Sequence, residues 1–322
     1  MSNSITVKVP ARLHLGFLDI EDEGGRRFGS IGLPLTSPET VLTLSRAAVT
    51  SVEGPDADRA AGHLRGLCRH LGIRSEHRLI IEDAIPNHAG LGSGTQIALA
   101  VSAALRGLHG LPPDITGDAL LLGRGARSGV GIASFEAGGL IVDAGRRHAG
   151  SLPTVVARVP FPEEWRILLV LDGASSGLHG AQELEAFRSL PPLPREVAGE
   201  NCRHALMGAL PALAERDIAA FGFAISAIQR NIGTHFAPAQ GGLFTSPRVK
   251  KMIEALARAG AVGIGQSSWG PTGFAFAPSE TSASEMVRVT EKDHADGLEI
   301  RIVGGRNSGA EIIARQFNLV GS

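Results

Sequence analysis

The 322 residues contain no tyrosine, two tryptophans, two cysteines, and lysine only at Lys8, Lys250, Lys251 and Lys292. Two cysteines, Cys68 and Cys202, cannot supply the disulfide framework of a small secreted scaffold. No uninterrupted apolar run reaches the roughly 18 residues that a membrane helix needs. The opening MSNSITVKVPARLHLG lacks the basic-then-apolar order of a secretion signal. A soluble, cytoplasmic protein is the expectation. A formal net charge of −1 removes the electrostatic case for nucleic acid or an anionic membrane as a partner. With lysine scarce, arginine supplies the rest of the 31 basic residues. An anionic ligand would therefore be gripped by guanidinium forks.

Hydrophobic residues make up 43% of the chain, enough for a sizeable core, and the length suits two domains. Loose alternation over 5–19 predicts a strand that ends in a polar tip at Glu21 to Gly25. Strands are also predicted at 39–46, 77–83 and 165–172, with a strand pair at 131–143 around Gly138 and Gly139. Helices are predicted at 57–71, 95–108 and 118–127; the second is apolar almost all round, which suits a buried central helix. The Pro- and Gly-containing stretch 145–163 predicts a boundary between domains 1–150 and 151–322. Beyond it the pattern predicts helices at 197–214, 216–231, 247–259 and 281–294, with strands at 273–277 and 298–303. The class is α+β in two parts, with no internal repeat.

The strongest motif is the loop Pro86-Asn87-His88-Ala89-Gly90-Leu91-Gly92-Ser93-Gly94-Thr95-Gln96. It lies between a predicted strand and the apolar helix. Its glycines admit an anion close to the backbone, and the helix start aims unpaired N–H groups and the positive dipole end at it. The hydroxyls of Ser93 and Thr95 can donate to a phosphate or bind a metal carried on it. The loop is neither a Gly-Lys-Ser/Thr phosphate loop nor a GxGxxG dinucleotide fingerprint. A second cluster, Arg12, His14, Asp19, Arg26, Arg27 and Ser30, crowds residues 10–35. On a strand Arg12 and His14 face one side, opposite Leu13 and Leu15. Asp19 and Arg26 flank Gly-containing apolar stretches, whereas Glu21, Asp22 and Glu23 read as a solvated tip.

The string PxxxGLGSGT, the opening PARLHLG and the late turn GIGQSSWGPTG at 263–273 resemble the three motifs of the GHMP kinase superfamily, in the same order. The resemblance implies a ribosomal-protein-S5-like N-terminal domain and a ferredoxin-like C-terminal domain. Many of these kinases carry Ser-Gly-x-Asp in mid-chain, the Asp serving as catalytic base. Here the string is Ser128-Gly129-Val130-Gly131, and glycine accepts no proton. An ATP-dependent small-molecule kinase is therefore the alternative reading, and a non-catalytic ligand sensor a third.

The pattern LHLGFLD…GRxFGSIG, with GARSGVGIASFEAGGLIVDAG at 125–145, resembles the β-ribofuranosylaminobenzene 5′-phosphate synthases, an offshoot of that superfamily. The resemblance implies a pentosyl transfer. Phosphoribosyl pyrophosphate would condense with 4-aminobenzoate or 4-hydroxybenzoate, releasing CO2 and pyrophosphate, in tetrahydromethanopterin biosynthesis. It also implies Mg²⁺ carried on the pyrophosphate, with Asp19 a candidate ligand, and no pyridoxal phosphate. Homodimerisation, common among GHMP relatives, is a further expectation that no residue pattern here supports.

Under that resemblance Asp19 and Arg26 take catalytic roles. Asp19 would stabilise the ribosyl cation or hold the metal, and Arg26, with Arg27, would hold a carboxylate or phosphate. Arg12 is a second phosphate ligand, and His14 and Ser30 complete the opening segment. Gly90, Gly92, Ser93, Gly94, Thr95 and Gln96 cradle a phosphate that Arg127 and Ser128 reach from the middle motif. Ser267, Ser268 and Trp269 close the site, with Trp269 as a stacking surface for the ring. His63, Cys68 and His70 lack zinc-like spacing, as do Cys202 and His204. The Arg146-Arg147-His148 run reads as a solvated link, and Glu183, Glu185 and Glu215 as exposed helix faces.

Overall fold

A computed structural model describes residues 3–21, 25–178, 180–290, 292 and 297–315. Asp22, Glu23 and Gly24 of the expected tip, and residues 291, 293 and 294 of the helix expected at 281–294, lie outside the described residues.

Two long antiparallel strands organise the first half, β1 (Ser4–Glu21) and β2 (Arg27–Ala47). Alternation sends Val7, Val9, Leu13 and Leu15 fully into the core. The pairing shifts register at Pro10/Arg12, His14/Gly16 and Phe17/Asp19, which bends the strand and re-aims its side chains. β3 (Ser51–Glu53) joins the sheet through β4 (Glu76–Asp83), which pairs with β2. β5 (Leu140–Asp143) pairs with the first part of β2, and β6 (Val155–Val159) with β5. The boundary expected at 150 thus falls between two neighbouring strands of one sheet.

Helix α1 (Ala57–Leu71) and helix α2 (Ser93–His109) pack together, with α2 against β1 and β2. As its composition implies, α2 is buried on nearly every face, from Gln96 to Leu108. α3 (Ile115–Leu121) is capped by the Asp114 carboxylate, which accepts the Gly117 N–H at 2.8 Å. The helix expected at 118–127 thus starts three residues earlier, and it ends at Leu121. Residues expected as a strand pair at 131–143 form helix α4 (Val130–Glu136) and then β5. Val130 to Phe135 are all buried, and a short, wholly buried apolar run has no period that separates strand from helix.

The second sheet contains β7 (Arg166–Asp172), β8 (Val262–Gln266), β9 (Gly273–Ala277) and β10 (Leu298–Val303), in the order β10-β7-β9-β8 with antiparallel neighbours. That is the ferredoxin-like arrangement. Between β7 and β8 run α5 (Gly180–Ser189), α6 (Arg195–His204), a π-helical turn at Ala205–Ala209, α7 (Leu210–Glu215), α8 (Ile218–Gln240) and α9 (Pro247–Arg258). α8 extends nine residues past the expected end at 231, through Pro238. α10 (Glu280–Val289) precedes β10, and β11 (Glu311–Arg315) returns to pair with β1 in the first sheet. Among the described residues no helix is long and apolar enough to cross a membrane.

Candidate active site

Three segments far apart in sequence meet where β1 passes the start of α2. The buried Ser267 hydroxyl donates to the Gly90 carbonyl at 2.7 Å and accepts the His14 N–H at 3.0 Å. The Arg12 guanidinium also donates to the Gly90 carbonyl, and the Arg12 N–H donates to Leu91 at 3.0 Å. Gly90 and Gly92 hold φ of 77° and 83°, a region that favours glycine. Space demands glycine as well. A Cβ at Gly90 would strike the Ser267 carbonyl, and one at Gly92 would lie 2.9 Å from Arg12 Cγ. The opening strand, the loop and the late turn therefore form one construction.

That construction walls a cavity of about 440 Å³. Gly90, Gly92, Ser93, Gly94 and Thr95 line it, with Arg12, His14, Arg127, Ser128, Ser268 and Trp269. The amides of Ser93 and Gly94 belong to the first turn of α2, where no intrahelical acceptor exists. Two arginines that no motif announced, Arg59 and Arg124, complete the cationic wall. A Cβ at Gly94 would lie 3.2 Å from Arg124 Nη1 and 3.6 Å from Arg59 Nη1, so both guanidinium groups crowd the helix start. Burial, and then the charge of Arg59, push the Arg124 pKa down. Burial likewise lowers Arg12 to about 10, against the attraction of Glu183. Arg124 Nε is buried without a hydrogen-bond partner among the described residues. Cations held this close gain from an anion placed between them.

The other side of the cavity is apolar. Phe17, Leu178 and Trp269 line it, and behind them the Trp269 ring packs 4.4 Å from Phe236 and 5.4 Å from Phe187. Trp269 is thus core by most of its surface and cavity wall by the remainder. His14 is 2% exposed, and its Nε2 has no hydrogen-bond partner among the described residues. Burial, with Arg12 nearby, lowers its pKa to about 3, so a neutral imidazole stands between the cationic and aromatic halves.

Not every expected residue reaches the cavity. Arg26 turns to the backbone, donating to the carbonyls of Ala144 at 2.8 Å and Gly145 at 2.9 Å and to Thr154 Oγ1 at 3.1 Å. Arg27 pairs with Glu21 at 3.2 Å, and Asp19 Oδ1 accepts the Glu21 N–H at 3.2 Å. Asp19, Arg26 and Arg27 lie outside the cavity lining. Gln96 is fully buried and donates to the Gly131 carbonyl at 2.7 Å. Ser30 sits behind Ser128, with Oγ atoms 2.7 Å apart, and donates to the buried Asp143 carboxylate at 2.5 Å. Glu183 is not the exposed helix residue its surroundings in sequence suggested; it lines the cavity and pairs with Arg127 at 2.8 Å. The apolar residue beside it, Leu184, is the exposed one, so the hydrophobic pattern of α5 does not mark the face that turns to the cavity.

At the position where many GHMP kinases carry their base, a Cβ on Gly131 would lie 3.3 Å from Thr95 Cγ2. The position therefore faces the loop but carries no acid. Among the described residues no group of three or more His, Cys, Asp and Glu could hold a metal. Glu183 is the one carboxylate among the cavity's described lining residues, on the same lining as the Ser93 and Thr95 hydroxyls, and it is paired with Arg127.

The sheet topology and the Gly-rich cradle at α2 define a protein of the GHMP kinase class. The GHMP kinases N terminal domain matches residues 58–139, and the GHMP kinases C terminal model matches residues 209–293. A homoserine kinase from Cytophaga hutchinsonii superposes with a TM-score of 0.70 at 19% identity, covering 97% of this chain and 98% of that one. A beta-ribofuranosylphenol 5′-phosphate synthase of Methanothermobacter thermautotrophicus is 33% identical over 96% of this chain and 98% of its own. One of Archaeoglobus fulgidus is 30% identical over 96% and 99%. Within the GHMP class the chain belongs to the beta-ribofuranosylphenol 5′-phosphate synthase family, and it is an enzyme.

Proposed function

We propose that the chain transfers a 5-phosphoribosyl group from phosphoribosyl pyrophosphate to 4-hydroxybenzoate or 4-aminobenzoate, with release of CO2 and pyrophosphate, as a step of tetrahydromethanopterin biosynthesis. The observation that carries this reading is a single cavity with a guanidinium-lined half at a helix start and an aromatic half beside neutral His14. Glycine at 131 supports it further, because this reaction deprotonates no substrate hydroxyl of the kind a kinase attacks with.

The pyrophosphate lies against Gly90–Thr95, Arg12, Arg59 and Arg124. As the bond from ribose C1 to the pyrophosphate oxygen breaks, charge grows on the leaving group, and fixed cations and amides stabilise it there. The ring rests against Trp269 and Phe17, with its para substituent toward His14. A neutral imidazole can accept a hydrogen bond from a phenol or aniline without adding charge. The ring carbon bearing the carboxylate attacks C1 from the face opposite the pyrophosphate. The carbon–carboxylate bond then breaks, and its electron pair restores the aromatic ring. Mg²⁺ on the diphosphate would neutralise part of the leaving charge.

The test is to incubate the protein with phosphoribosyl pyrophosphate, Mg²⁺ and each benzoate in turn, and to analyse the products by mass spectrometry. A C-linked ribosyl phenol or ribosyl aniline 5′-phosphate is expected from at least one benzoate. Formation of neither product by folded protein, or phosphorylation of an alcohol by ATP, would overturn the reading.

A further inference from the structure

Behind the cavity wall lies a chain of oxygen atoms that the ribosyl transfer just described does not use. Ser128 lines the cavity. Its Oγ is 2.7 Å from Ser30 Oγ, which is 2.5 Å from Asp143 Oδ2. Asp143 and Ser30 are wholly buried. The carboxylate also accepts the Gly129 N–H at 3.0 Å and the Gly145 N–H at 2.9 Å, while Ser128 Oγ accepts the Val130 N–H at 3.2 Å. These contacts fix where every hydroxyl proton must point.

With Asp143 ionised, its oxygens only accept, so the Ser30 proton points at Asp143. Ser30 can then only accept from Ser128, whose proton points inward. Ser128 offers the cavity a lone pair and repels an anion. With Asp143 protonated, a third O–H appears on the carboxyl and the two serine O–H bonds reverse. Asp143 donates to Ser30, Ser30 donates to Ser128, and the Ser128 proton is released toward the cavity. Each O–H moves by rotation or short transfer, and one proton enters in total.

We infer that Asp143 is a positioning residue that acts on the cavity through Ser30 and Ser128. An anionic oxygen seated against Ser128 binds together with one proton, which Asp143 takes up. Burial raises the Asp143 carboxyl to about 6, against the lowering hydrogen bonds from Ser30, Gly145 and Gly129, so the switch lies close to neutral pH. The nearby charged groups on neighbouring segments are otherwise engaged. Arg26 spends its guanidinium on the Ala144 and Gly145 carbonyls, and Arg127 pairs with Glu183. On β6 the residues opposite Val142 and Asp143 are Ala157 and Val155, which carry no charge.

The inference rests on the proposed function only in requiring an anion in the cavity, so the experiment reads binding rather than synthesis. Inorganic pyrophosphate is titrated calorimetrically from pH 5.5 to 8.5 into the wild type, Ser30→Ala and Ser128→Ala. Titration of pyrophosphate itself is common to all three and cancels in the affinity ratios. Ser30→Ala frees the Ser128 proton at every pH, so it is expected to bind more tightly than wild type at pH 8.5. Ser128→Ala removes the donor, so it binds more weakly than wild type at pH 5.5. Each ratio to wild type should drift by up to ~10-fold per pH unit above pH 6, the slope of one linked proton. Should Ser30→Ala fail to fold, Ser128→Ala alone carries the comparison. Ratios that stay constant with pH, or no binding of pyrophosphate to folded wild type, would overturn the inference. Constant ratios would leave the ribosyl transfer standing, and absence of ribosyl transfer would leave this comparison readable.

Discussion

Ser267 and Gly90 are joined by a 2.7 Å hydrogen bond from the Ser267 hydroxyl to the Gly90 carbonyl. Ser267 follows β8 in the second half of the chain, while Gly90 lies in the Gly-rich loop before α2 in the first. The same hydroxyl accepts the His14 N–H, so one buried side chain sets the spacing of strand, loop and turn.

Removing it should be felt in stability first. Ser267→Ala leaves the His14 N–H without its acceptor in a buried site, which costs roughly 1–3 kcal/mol. Urea denaturation reads this directly. Unchanged stability would mean that the three segments are held by other contacts.

The arginines separate by where their donors point. Arg59→Gln and Arg124→Gln each remove a cation from the start of α2, and each should weaken pyrophosphate binding about 10-fold, the equivalent of one charge-assisted hydrogen bond. Arg26→Gln should leave that affinity within about twofold and lower stability instead, because its guanidinium ties the Ala144 and Gly145 carbonyls to the residue that precedes β2. Calorimetric titration and denaturation of the same three variants check both halves. Weak binding confined to Arg26→Gln would reverse the assignment.

Which of these features sequence could reach follows from how local each signal is. That Gly90, Gly92, Ser93, Gly94 and Thr95 share a cavity wall was legible because strand, glycines and helix are contiguous, whereas Gln96, expected with them, turns away to the Gly131 carbonyl; the Arg12/His14 pair was legible because strand alternation is local. Ser267, Ser268 and Trp269 were reached through resemblance. Arg59 and Arg124 were not, since their charge matters only after α1 and the loop following α3 fold against the start of α2. Asp19 and Arg26 looked like cavity residues from their glycine-flanked setting, but the register shift at Phe17/Asp19 and the carbonyls of Ala144 and Gly145 decide their directions. Of the strand pair expected at 131–143, the part up to Glu136 is a helix for a similar reason: burial on every side erases the period that tells the two apart.

Gly92→Ala tests the cradle itself. The new Cβ would meet Arg12 Cγ at 2.9 Å on a backbone with φ of 83°. Strain of this kind costs on the order of 1–3 kcal/mol, and displacing Arg12 should also cost at least about 10-fold in kcat/KM. Near-normal kinetics together with normal stability would show that Arg12 and the loop are not packed as described.

His14 should mark the acid limb of the stability profile. Its folded pKa of about 3 lies below the ordinary value of 6.5, so the unfolded chain binds the extra proton. Its contribution is complete above pH 6.5 and is lost as pH falls toward 3. Between pH 7 and pH 4.5 the wild type should lose roughly 2–3 kcal/mol more than His14→Asn. Parallel loss in the two proteins would mean that His14 protonates freely.

The central claim is that one cavity couples departure of pyrophosphate to departure of the acceptor's carboxylate. The most direct measurement follows both products in one reaction, using carboxyl-labelled 4-hydroxybenzoate or 4-aminobenzoate with phosphoribosyl pyrophosphate and Mg²⁺. Labelled CO2 and pyrophosphate should appear in equal amounts and at equal rates, and neither should form when the benzoate or the donor is omitted. Pyrophosphate released without labelled CO2, from protein shown to be folded, would contradict the claim.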